Sequence, residues 1–258
     1  MIDTILIAMG GEGKRFADEG FKNPKPFIKV DDEEMFIKAT TCLPNANNYI
    51  FITKKEFQSK FNAKEIIKEK FINNNLILMD KPTDGQVSTC LLANEHIPIN
   101  NSLLISPCDS SVILDENKLN DLIIDKDFDA IIWTFRNNAT VARNPQMYGW
   151  VKTEDGEIAK EVSCKKSISE NPVKDHAIVG TFWFKKGKYF TDYANQLIKK
   201  NIRINNEFYV DEMMNLLIND GLKVGIFEVE KYICWGTPND LKTYEYWKKF
   251  FTEDYDKH

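Results

Sequence analysis

Short apolar runs alternate with stretches of helical spacing along the first half of the chain. The first run, Thr4 to Met9, is rich in β-branched residues and ends at Gly10-Gly11, which predicts a buried strand that leads into a loop. The segments that follow are predicted as helix 33–43, strand 49–53, helix 56–71, strand 76–79, helix 87–97, strand 102–106, helix 117–124 and strand 130–135. This alternation predicts parallel strands joined by right-handed crossovers.

The pattern changes after residue 136. Two strand-like segments, 148–152 and 157–162, flank Asp155-Gly156, which predicts a β-hairpin. The later segments are predicted as strand 177–184, helix 189–200, a helix with the apolar face Val210, Met213, Met214 and Leu217, strand 222–229 and terminal helix 240–251. One α/β domain with an inserted β-rich subdomain accounts for this order.

Composition and charge disfavour a nucleic-acid-binding protein, a membrane protein and a secreted protein with disulfide bonds. The chain has 258 residues, 43% of them hydrophobic, and a formal net charge of -5. This mild acidity disfavours a nucleic-acid groove that covers a whole face, and no apolar run approaches the roughly 18–20 residues that span a bilayer. The five cysteines form no C-x-x-C pair, and the start Met1-Ile2-Asp3 lacks the charged and apolar regions of a signal peptide. We therefore expect reduced thiols and a cytoplasmic protein.

The first strand is followed by a glycine loop and a basic arm. Gly10-Gly11-Glu12-Gly13-Lys14-Arg15 lets backbone N–H groups approach a ligand, at the end of a strand where open α/β sheets bind phosphates. A dinucleotide fingerprint would need glycine at Phe16, and a P-loop would need glycine at Ala8. In Pro24-Lys25-Pro26 the two prolines restrict the backbone around a lysine. The arm favours a phosphate site over a plain turn with a solvated basic face.

With these two motifs the sequence resembles the sugar-phosphate nucleotidyltransferases. Further segments that carry the resemblance follow in order: Thr83-Asp84-Gly85-Gln86, Ser106-Pro107-Cys108-Asp109, Tyr148-Gly149-Trp150-Val151, Ala177-Ile178-Val179-Gly180-Thr181 and Gly236-Thr237-Pro238-Asn239-Asp240-Leu241. The resemblance implies a Rossmann-like, three-layer fold similar to glycosyltransferase A, with a mainly parallel sheet and a small inserted β-rich subdomain. The whole chain, 1–258, would form one domain, mainly nucleotide-binding over 1–145 and acceptor-binding over 146–235, with a C-terminal helix in 236–258.

The resemblance also implies an activity: an acceptor phosphate attacks the α-phosphorus of a nucleoside triphosphate, and pyrophosphate leaves. It assigns catalysis to Arg15 and Lys25. The nucleotide would be bound by Met9, Gly10, Gly11, Gly13, Lys14, Gly85, Gln86 and Asp109. The acceptor would be bound by Tyr148, Gly149, Cys164, Lys165, Gly180 and Trp183.

Asp109 is the predicted ligand of Mg²⁺, with Mn²⁺ as the alternative metal, since it follows an apolar strand at the edge where ligands gather. Many relatives carry a second carboxylate at the position of Cys234, and a neutral thiol is a poor Mg²⁺ ligand. Either Asp109 and water hold the metal with the triphosphate, or another acid substitutes, for which Asp211 and Glu207 are the candidates.

The acceptor half departs from the family pattern at Cys164, where most relatives have a glutamate that contacts sugar hydroxyls. A thiol is a weak acceptor, so we expect a phosphorylated acceptor other than an ordinary hexose 1-phosphate. The sequence resembles the branch associated with bacterial capsule biosynthesis, which implies CTP and L-glutamine phosphate as favoured substrates and CDP-L-glutamine as product. A sugar 1-phosphate nucleotidyltransferase for capsule is one alternative, and an inactive nucleotide-binding regulatory module is another.

A glycosyltransferase would need a D-x-D metal site, which Asp109-Ser110-Ser111 does not provide. The expected partners are thus a nucleoside triphosphate and a small phosphorylated acceptor, with neither nucleic acid nor membrane.

Overall fold

The computed structural model describes residues 2–11 and 13–254, so Glu12 and the last four positions of the predicted C-terminal segment lie outside the described residues. The described strands are β1 (Ile2–Met9), β2 (Lys29–Val30), β3 (Glu33–Glu34), β4 (Ala46–Lys54), β5 (Asn74–Met79), β6 (Leu103–Ser106), β7 (Ser110–Ile113), β8 (Ala130–Phe135), β9 (Gly149–Glu154), β10 (Ile158–Cys164), β11 (His176–Phe184), β12 (Val224–Glu228) and β13 (Lys231–Cys234). The described helices are α1 (Lys14–Asp18), α2 (Met35–Thr41), α3 (Lys55–Phe61), α4 (Ala63–Lys70), α5 (Gln86–Leu91), α6 (Glu116–Asp125), α7 (Thr140–Arg143), α8 (Gly187–Lys199), α9 (Val210–Asn219) and α10 (Pro238–Lys249).

Most strands belong to one sheet with the order β5-β4-β1-β6-β11-β8-β12-β10-β9. Strands β5, β4, β1 and β6 are parallel to one another, and β12 is parallel to β8. Strand β11 is antiparallel to both β6 and β8, and β10 is antiparallel to β12 and β9. The α/β class is confirmed, but the sheet is mixed rather than mainly parallel. A parallel neighbour requires a long crossover, and no α-helix separates β9, β10 and β11.

The predicted hairpin is confirmed as β9 and β10, with Asp155 and Gly156 in the turn at φ of 51° and 73°. Positive φ at both central residues matches the right-handed twist of the flanking strands. The hairpin does not stand apart from the rest of the fold, because β10 pairs with β12 and β9 pairs with β11. The β-rich insertion therefore extends the central sheet.

Several predicted helices differ at their ends. The segment 56–71 forms two helices, α3 and α4, because Asn62 between them has a left-handed backbone with φ of 52°. The helix predicted over 33–43 begins later, since Glu33–Glu34 pairs with β2. The terminal helix begins at Pro238, where the Thr237 hydroxyl accepts a hydrogen bond from the Asp240 N–H at 3.2 Å. None of the helices within the described residues has the length and apolar character needed to cross a bilayer.

Helices cover both faces of the central sheet, which gives three layers. Alternate residues of β1 point to opposite faces, so Leu6 packs with the core beneath α5, α8 and α9, whereas Ile5 and Ile7 pack with the core beneath α2, α3, α4 and α6. Both cores are closed by fully buried aromatic side chains, such as Phe190 and Trp133. The carboxyl ends of β1 and β6 remain uncovered at one edge.

A third core connects the start of the chain to its end. Phe16, from α1, and Ile28, after the basic arm, pack with Trp235 and Leu241. Beside this core the Asp31 carboxylate accepts hydrogen bonds from Lys38, Lys248 and Tyr244. Partial burial would raise the pKa of Asp31, but these donors lower it to about 2. The terminal helix is thus tied to the region that carries the glycine loop.

Candidate active site

A cleft of about 950 Å³ opens at the carboxyl ends of β1 and β6. Loops that follow parallel strands meet at this edge, where open α/β sheets bind their ligands. The predicted site residues that line the cleft are Met9, Gly10, Gly11, Gly13, Lys14, Arg15, Lys25, Gly85, Gln86, Asp109, Tyr148, Gly149, Lys165 and Gly180. Residues that are far apart in the sequence therefore share one concave surface.

The glycine loop and the basic arm form one wall of this cleft. Lys14 and Arg15 are exposed in the first turn of α1, which the buried Phe16 anchors. Lys25 begins a short 3-10 turn, Lys25–Phe27, whose next two residues are buried. A Cβ atom on Gly13 would lie 3.2 Å from the Cβ of Lys25, so the loop packs directly against the arm. The two motifs thus bring three cationic side chains to one wall.

Lys25 forms an ion pair with Asp109 inside the cleft. The Lys25 Nζ lies 2.7 Å from the Asp109 Oδ2, and about a fifth of each side chain is exposed, 21% and 23%. Burial alone would lower the pKa of Lys25, but the neighbouring Asp109 carboxylate raises it above its usual range. Lys25 is therefore a permanent cation at physiological pH.

A small sheet that the sequence did not predict holds Asp109 in place. Strand β13 pairs with β7 so that Cys234 lies opposite Ser110, and the Trp235 N–H donates to the Asp109 carbonyl oxygen at 2.9 Å. Burial raises the pKa of the Cys234 thiol to about 12, so this side chain stays neutral. The thiol lies 3.5 Å from an Asp240 oxygen, which also accepts a bond from the Thr237 hydroxyl.

Next to Lys25 the cleft presents one carboxylate, that of Asp109, which could bind a divalent cation. Mg²⁺ in nucleotide sites is held by one or two carboxylates together with phosphate oxygens and water, so Asp109 fits that role. Asp211 and Glu207 line the same cleft, but among the described residues no three His, Cys, Asp or Glu side chains form a possible ligand set. Asp109 is thus the residue through which this site would hold a metal.

Gly85 and Gln86 stand at the start of α5, on another wall of the cleft. Gly85 has φ of 111°, and a Cβ atom there would lie 2.7 Å from the Phe208 backbone nitrogen. Both the positive φ and this close approach require glycine. The Gln86 side chain, partly exposed, presents an amide with donor and acceptor atoms. The segment is fixed to the chain that leads into α9, since the Val87 N–H donates to the Phe208 oxygen at 3.1 Å.

Lys165 projects into the other half of the cleft from an unusual backbone conformation. Its φ is 59°, the left-handed region, directly after β10, and its N–H donates to the Tyr148 oxygen at 3.2 Å. Residues other than glycine adopt this conformation rarely, and often at binding sites. The Lys165 Nζ donates to the Met147 oxygen and lies 5.2 Å from the centre of the Tyr209 ring. The structure therefore presents a fourth cation, Lys165, in a part of the cleft formed by other elements than the glycine-loop wall.

Two predicted acceptor residues are not on the cleft surface. Cys164 is buried, and burial with the nearby Asp211 carboxylate raises the pKa of its thiol. Trp183 is 2% exposed and packs in the core on one side of the sheet. Its side chain packs in the same core as Leu104 and Ile131, its partners on the neighbouring strands, and does not reach the cleft. These side chains support the walls instead of lining them.

The sequence missed other residues of the acceptor half. Tyr209, just before α9, and Tyr232 line the cleft. Asp211 lines it too, although the sequence suggested this residue only as an alternative metal ligand. Burial, together with a hydrogen bond to Glu207, raises the pKa of Tyr209. The signal for Tyr209 and Asp211 was local, because an aromatic residue and an acid stand where α9 begins, whereas Tyr232 reaches the cleft through the pairing of β13 with β7.

Comparison with known proteins gives one consistent picture. The sequence matches the nucleotidyl transferase family over residues 4–244. Comparison with curated protein sequences finds no match. Solved structures with the same fold include a nucleoside-diphosphate-sugar pyrophosphorylase from Vibrio cholerae RC9, with TM-score 0.75 and 16% identity, where the alignment covers 93% of this chain and 98% of that one.

Two further structures are similar. The inositol-1-phosphate CTP transferase from T. maritima has TM-score 0.75 and 14% identity, with 98% of this chain and 97% of that chain covered. A UDP-glucose pyrophosphorylase complexed with UDP-glucose has TM-score 0.72 and 17% identity, with 96% and 100% covered. At these identities the likeness shows the fold.

Proposed function

We propose that this chain, which belongs to the nucleotidyl transferase family, transfers CMP from CTP to L-glutamine phosphate. The products would be CDP-L-glutamine and pyrophosphate, for modification of a capsular polysaccharide. Membership of the family makes the chain a nucleotidyltransferase, and the choice of nucleotide, acceptor and pathway is our proposal.

One observation carries the proposal: the cleft holds cationic side chains at two separate places. Lys14, Arg15 and Lys25 line the glycine-loop wall, and Lys165 lies in the acceptor half. A nucleotidyl transfer brings two phosphate groups together, one on the triphosphate and one on the acceptor, and both need neutralisation. A site that binds a single phosphorylated ligand would need cationic side chains at one place only.

In the proposed reaction an oxygen of the acceptor phosphate forms a bond to the α-phosphorus. The bond from that phosphorus to the α–β bridging oxygen breaks, and pyrophosphate carries away the electron pair. The glycine loop and Arg15 would bind the β- and γ-phosphates, which become the leaving group. Lys25 would stabilise the negative charge that develops around the α-phosphate. Lys165 would align the attacking phosphate.

Binding of the triphosphate requires a change at the Lys25–Asp109 ion pair. Asp109 would hold Mg²⁺, which when bound supplies positive charge against the triphosphate oxygens. When Mg²⁺ binds the Asp109 carboxylate, the Lys25 ammonium loses this acceptor and can donate its hydrogen bonds to the α-phosphate instead. The ion pair thus keeps both side chains in the cleft until substrate arrives.

CTP is favoured because a structure with the same fold is a CTP transferase that acts on inositol 1-phosphate. L-Glutamine phosphate is favoured because the sequence has Cys164 where most sugar-specific relatives have a glutamate, and the Cys164 thiol is buried. A neutral, weakly accepting thiol does not provide the carboxylate that binds sugar hydroxyls.

A sugar or polyol 1-phosphate is the second candidate acceptor. It is supported by the names of the structures with the same fold, which refer to nucleoside-diphosphate sugars, inositol 1-phosphate and UDP-glucose. The reaction would follow the same steps with a different acceptor.

The test is a matrix of substrates with pyrophosphate release as the readout. Each of CTP, UTP, dTTP, ATP and GTP is offered with L-glutamine phosphate, glucose 1-phosphate and inositol 1-phosphate. We expect the highest kcat/KM with CTP and L-glutamine phosphate. Turnover that depends on a sugar or polyol phosphate would replace the proposed acceptor by the second candidate. Release with another nucleotide alone would exclude CTP.

A further inference from the structure

Asp211 is a carboxylate that the proposed reaction does not use. It lies at the second residue of α9, lines the cleft and is 8% exposed. Within the part of the chain that the structure describes, no side chain donates a hydrogen bond to its carboxylate. Burial raises the pKa of Asp211, and the donor that counteracts this is its own backbone N–H, so a cationic group of a ligand in the cleft would stabilise the charged form of this carboxylate.

The neighbouring backbone is built to accommodate this carboxylate. A Cβ atom on Gly149 would lie 2.1 Å from the Asp211 Oδ2, so glycine at the start of β9 leaves the space that the oxygen occupies. The same end of the β9–β10 pair supplies Lys165, because Cys164 pairs with Gly149. The charge of Lys165 lowers the pKa of Asp211, although burial raises it more. The acid is therefore held at a defined place in the acceptor half.

Lys165 does not neutralise Asp211 directly. Its Nζ is bound to the Met147 oxygen and lies over the Tyr209 ring, and among the described residues it forms no ion pair with Asp211. The acceptor half thus presents a cation and an anion that are close to each other but separately exposed to a ligand. A ligand with the complementary charges, a phosphate and an ammonium group, satisfies both.

We propose that Asp211 selects a phosphorylated acceptor that carries a primary ammonium group, by pairing with that group while Lys165 binds the phosphate. This proposal rests on the proposed function, since it concerns the acceptor of the same reaction. A hydroxyl group would satisfy the hydrogen bond but leave the buried charge unpaired, which favours an amine. The amine could belong to an amino acid or to an amino sugar, and the test separates these sources.

The experiment compares acceptors that differ in the amine alone. One pair is L-glutamine phosphate and its analogue without the α-amino group, and the other is glucosamine 1-phosphate and glucose 1-phosphate. Binding is measured by calorimetry and turnover by pyrophosphate release, both with CTP. We expect the wild-type protein to prefer the amine member of one pair by about 30-fold or more in kcat/KM, as expected for a buried charge pair. The pair that shows the preference identifies the source of the amine.

Variants assign the preference to Asp211. Asp211→Asn should abolish the discrimination between amine and amine-free acceptors and leave the KM for CTP unchanged. Glu212→Gln is the matched control, because Glu212 is the next residue of α9, does not line the cleft and contacts Asn215. This control should keep the preference for the amine.

Two results would overturn the inference: equal use of amine and amine-free acceptors by the wild-type protein, or an unchanged preference in Asp211→Asn. The wild-type comparison needs no folded variant. Amine-dependent binding without pyrophosphate release would contradict the proposed function and support the role of Asp211. Release with amine-free acceptors alone would support nucleotidyl transfer but contradict both the role of Asp211 and L-glutamine phosphate as the acceptor.

Discussion

Removal of the Lys25 ammonium should reduce the rate of transfer much more than the affinity for nucleotide. The Lys25 Nζ is 2.7 Å from the Asp109 Oδ2, and the proposed reaction turns this charge towards the α-phosphate. Loss of one positioned donor to developing charge costs about 10²–10³ in kcat, or about 3–4 kcal/mol in the barrier. Lys25→Ala should therefore lower kcat by about this factor, with the nucleotide KM changed by about threefold or less.

The same substitution leaves Asp109 without its partner. Since about a fifth of each side chain is exposed, 21% and 23%, water partly compensates for the loss. We expect the free energy of unfolding to fall by about 1–2 kcal/mol, measured by urea denaturation.

Lys29→Ala is the matched control for Lys25→Ala. Lys29 lies just after the arm, in β2, its side chain is 61% exposed, and its distance of 3.8 Å to Glu34 indicates a weak ion pair. Both variants are assayed with the nucleotide and acceptor that the substrate matrix selects, and the nucleotide is varied at saturating acceptor. Equal losses in kcat and nucleotide affinity, or an equal effect of Lys29→Ala, would refute the transition-state role of Lys25.

Three further predictions follow from local structure. Gly85→Ala should destabilise the protein by about 2 kcal/mol or more, since φ is 111° and the new Cβ would lie 2.7 Å from Phe208; Gly156→Ala, at φ of 73° with open space, should cost less in the same urea titration. Because burial raises the pKa of Asp211, the folded state holds its proton at pH values where the unfolded state has lost it, so this group costs stability as pH rises above 3.8. Asp211→Asn should therefore gain stability relative to wild type between acidic and neutral pH, and a constant difference across urea titrations at several pH values would contradict this. Burial raises the pKa of Cys234 to about 12, so iodoacetamide should modify it at pH 8 at least about 100 times more slowly than free cysteine, as followed by mass spectrometry; rapid modification would show an accessible thiolate.

Local patterns in the sequence were sufficient for most of the elements. The β-branched run at Thr4 to Met9 predicted β1, and Asp155-Gly156 predicted the hairpin turn, because both signals act within a few residues. The break between α3 and α4 was missed, since the apolar spacing continues across Asn62 whereas the break depends on the left-handed conformation of that residue alone.

Pairings between distant segments were not predictable in the same way. The β7–β13 sheet brings Cys234 beside Asp109, and each of its strands has four residues. The direction of β11 also depends on its neighbours in the sheet and not on its own apolar pattern.

In the candidate site too, residues in local motifs could be predicted from the sequence, whereas contacts between distant segments could not. The glycine loop, Lys25, Asp109 and Lys165 were identified from motifs, and the structure brings them to one cleft. Trp183 was assigned from its neighbourhood in the sequence, but in a strand the adjacent residue points to the opposite face. The significance of Asp211 depends on its approach to Gly149, a residue that is distant in the sequence.

The third core has a consequence for the synthesis of the protein. Phe16 and Ile28, which support the glycine loop and the Lys25 arm, pack on Trp235 and Leu241 near the other end of the chain. A ribosome makes the glycine-loop segment well before the residues that hold it in place. Nascent chains should therefore remain unable to bind nucleotide until Trp235 and Leu241 have left the exit tunnel and can pack on Phe16 and Ile28.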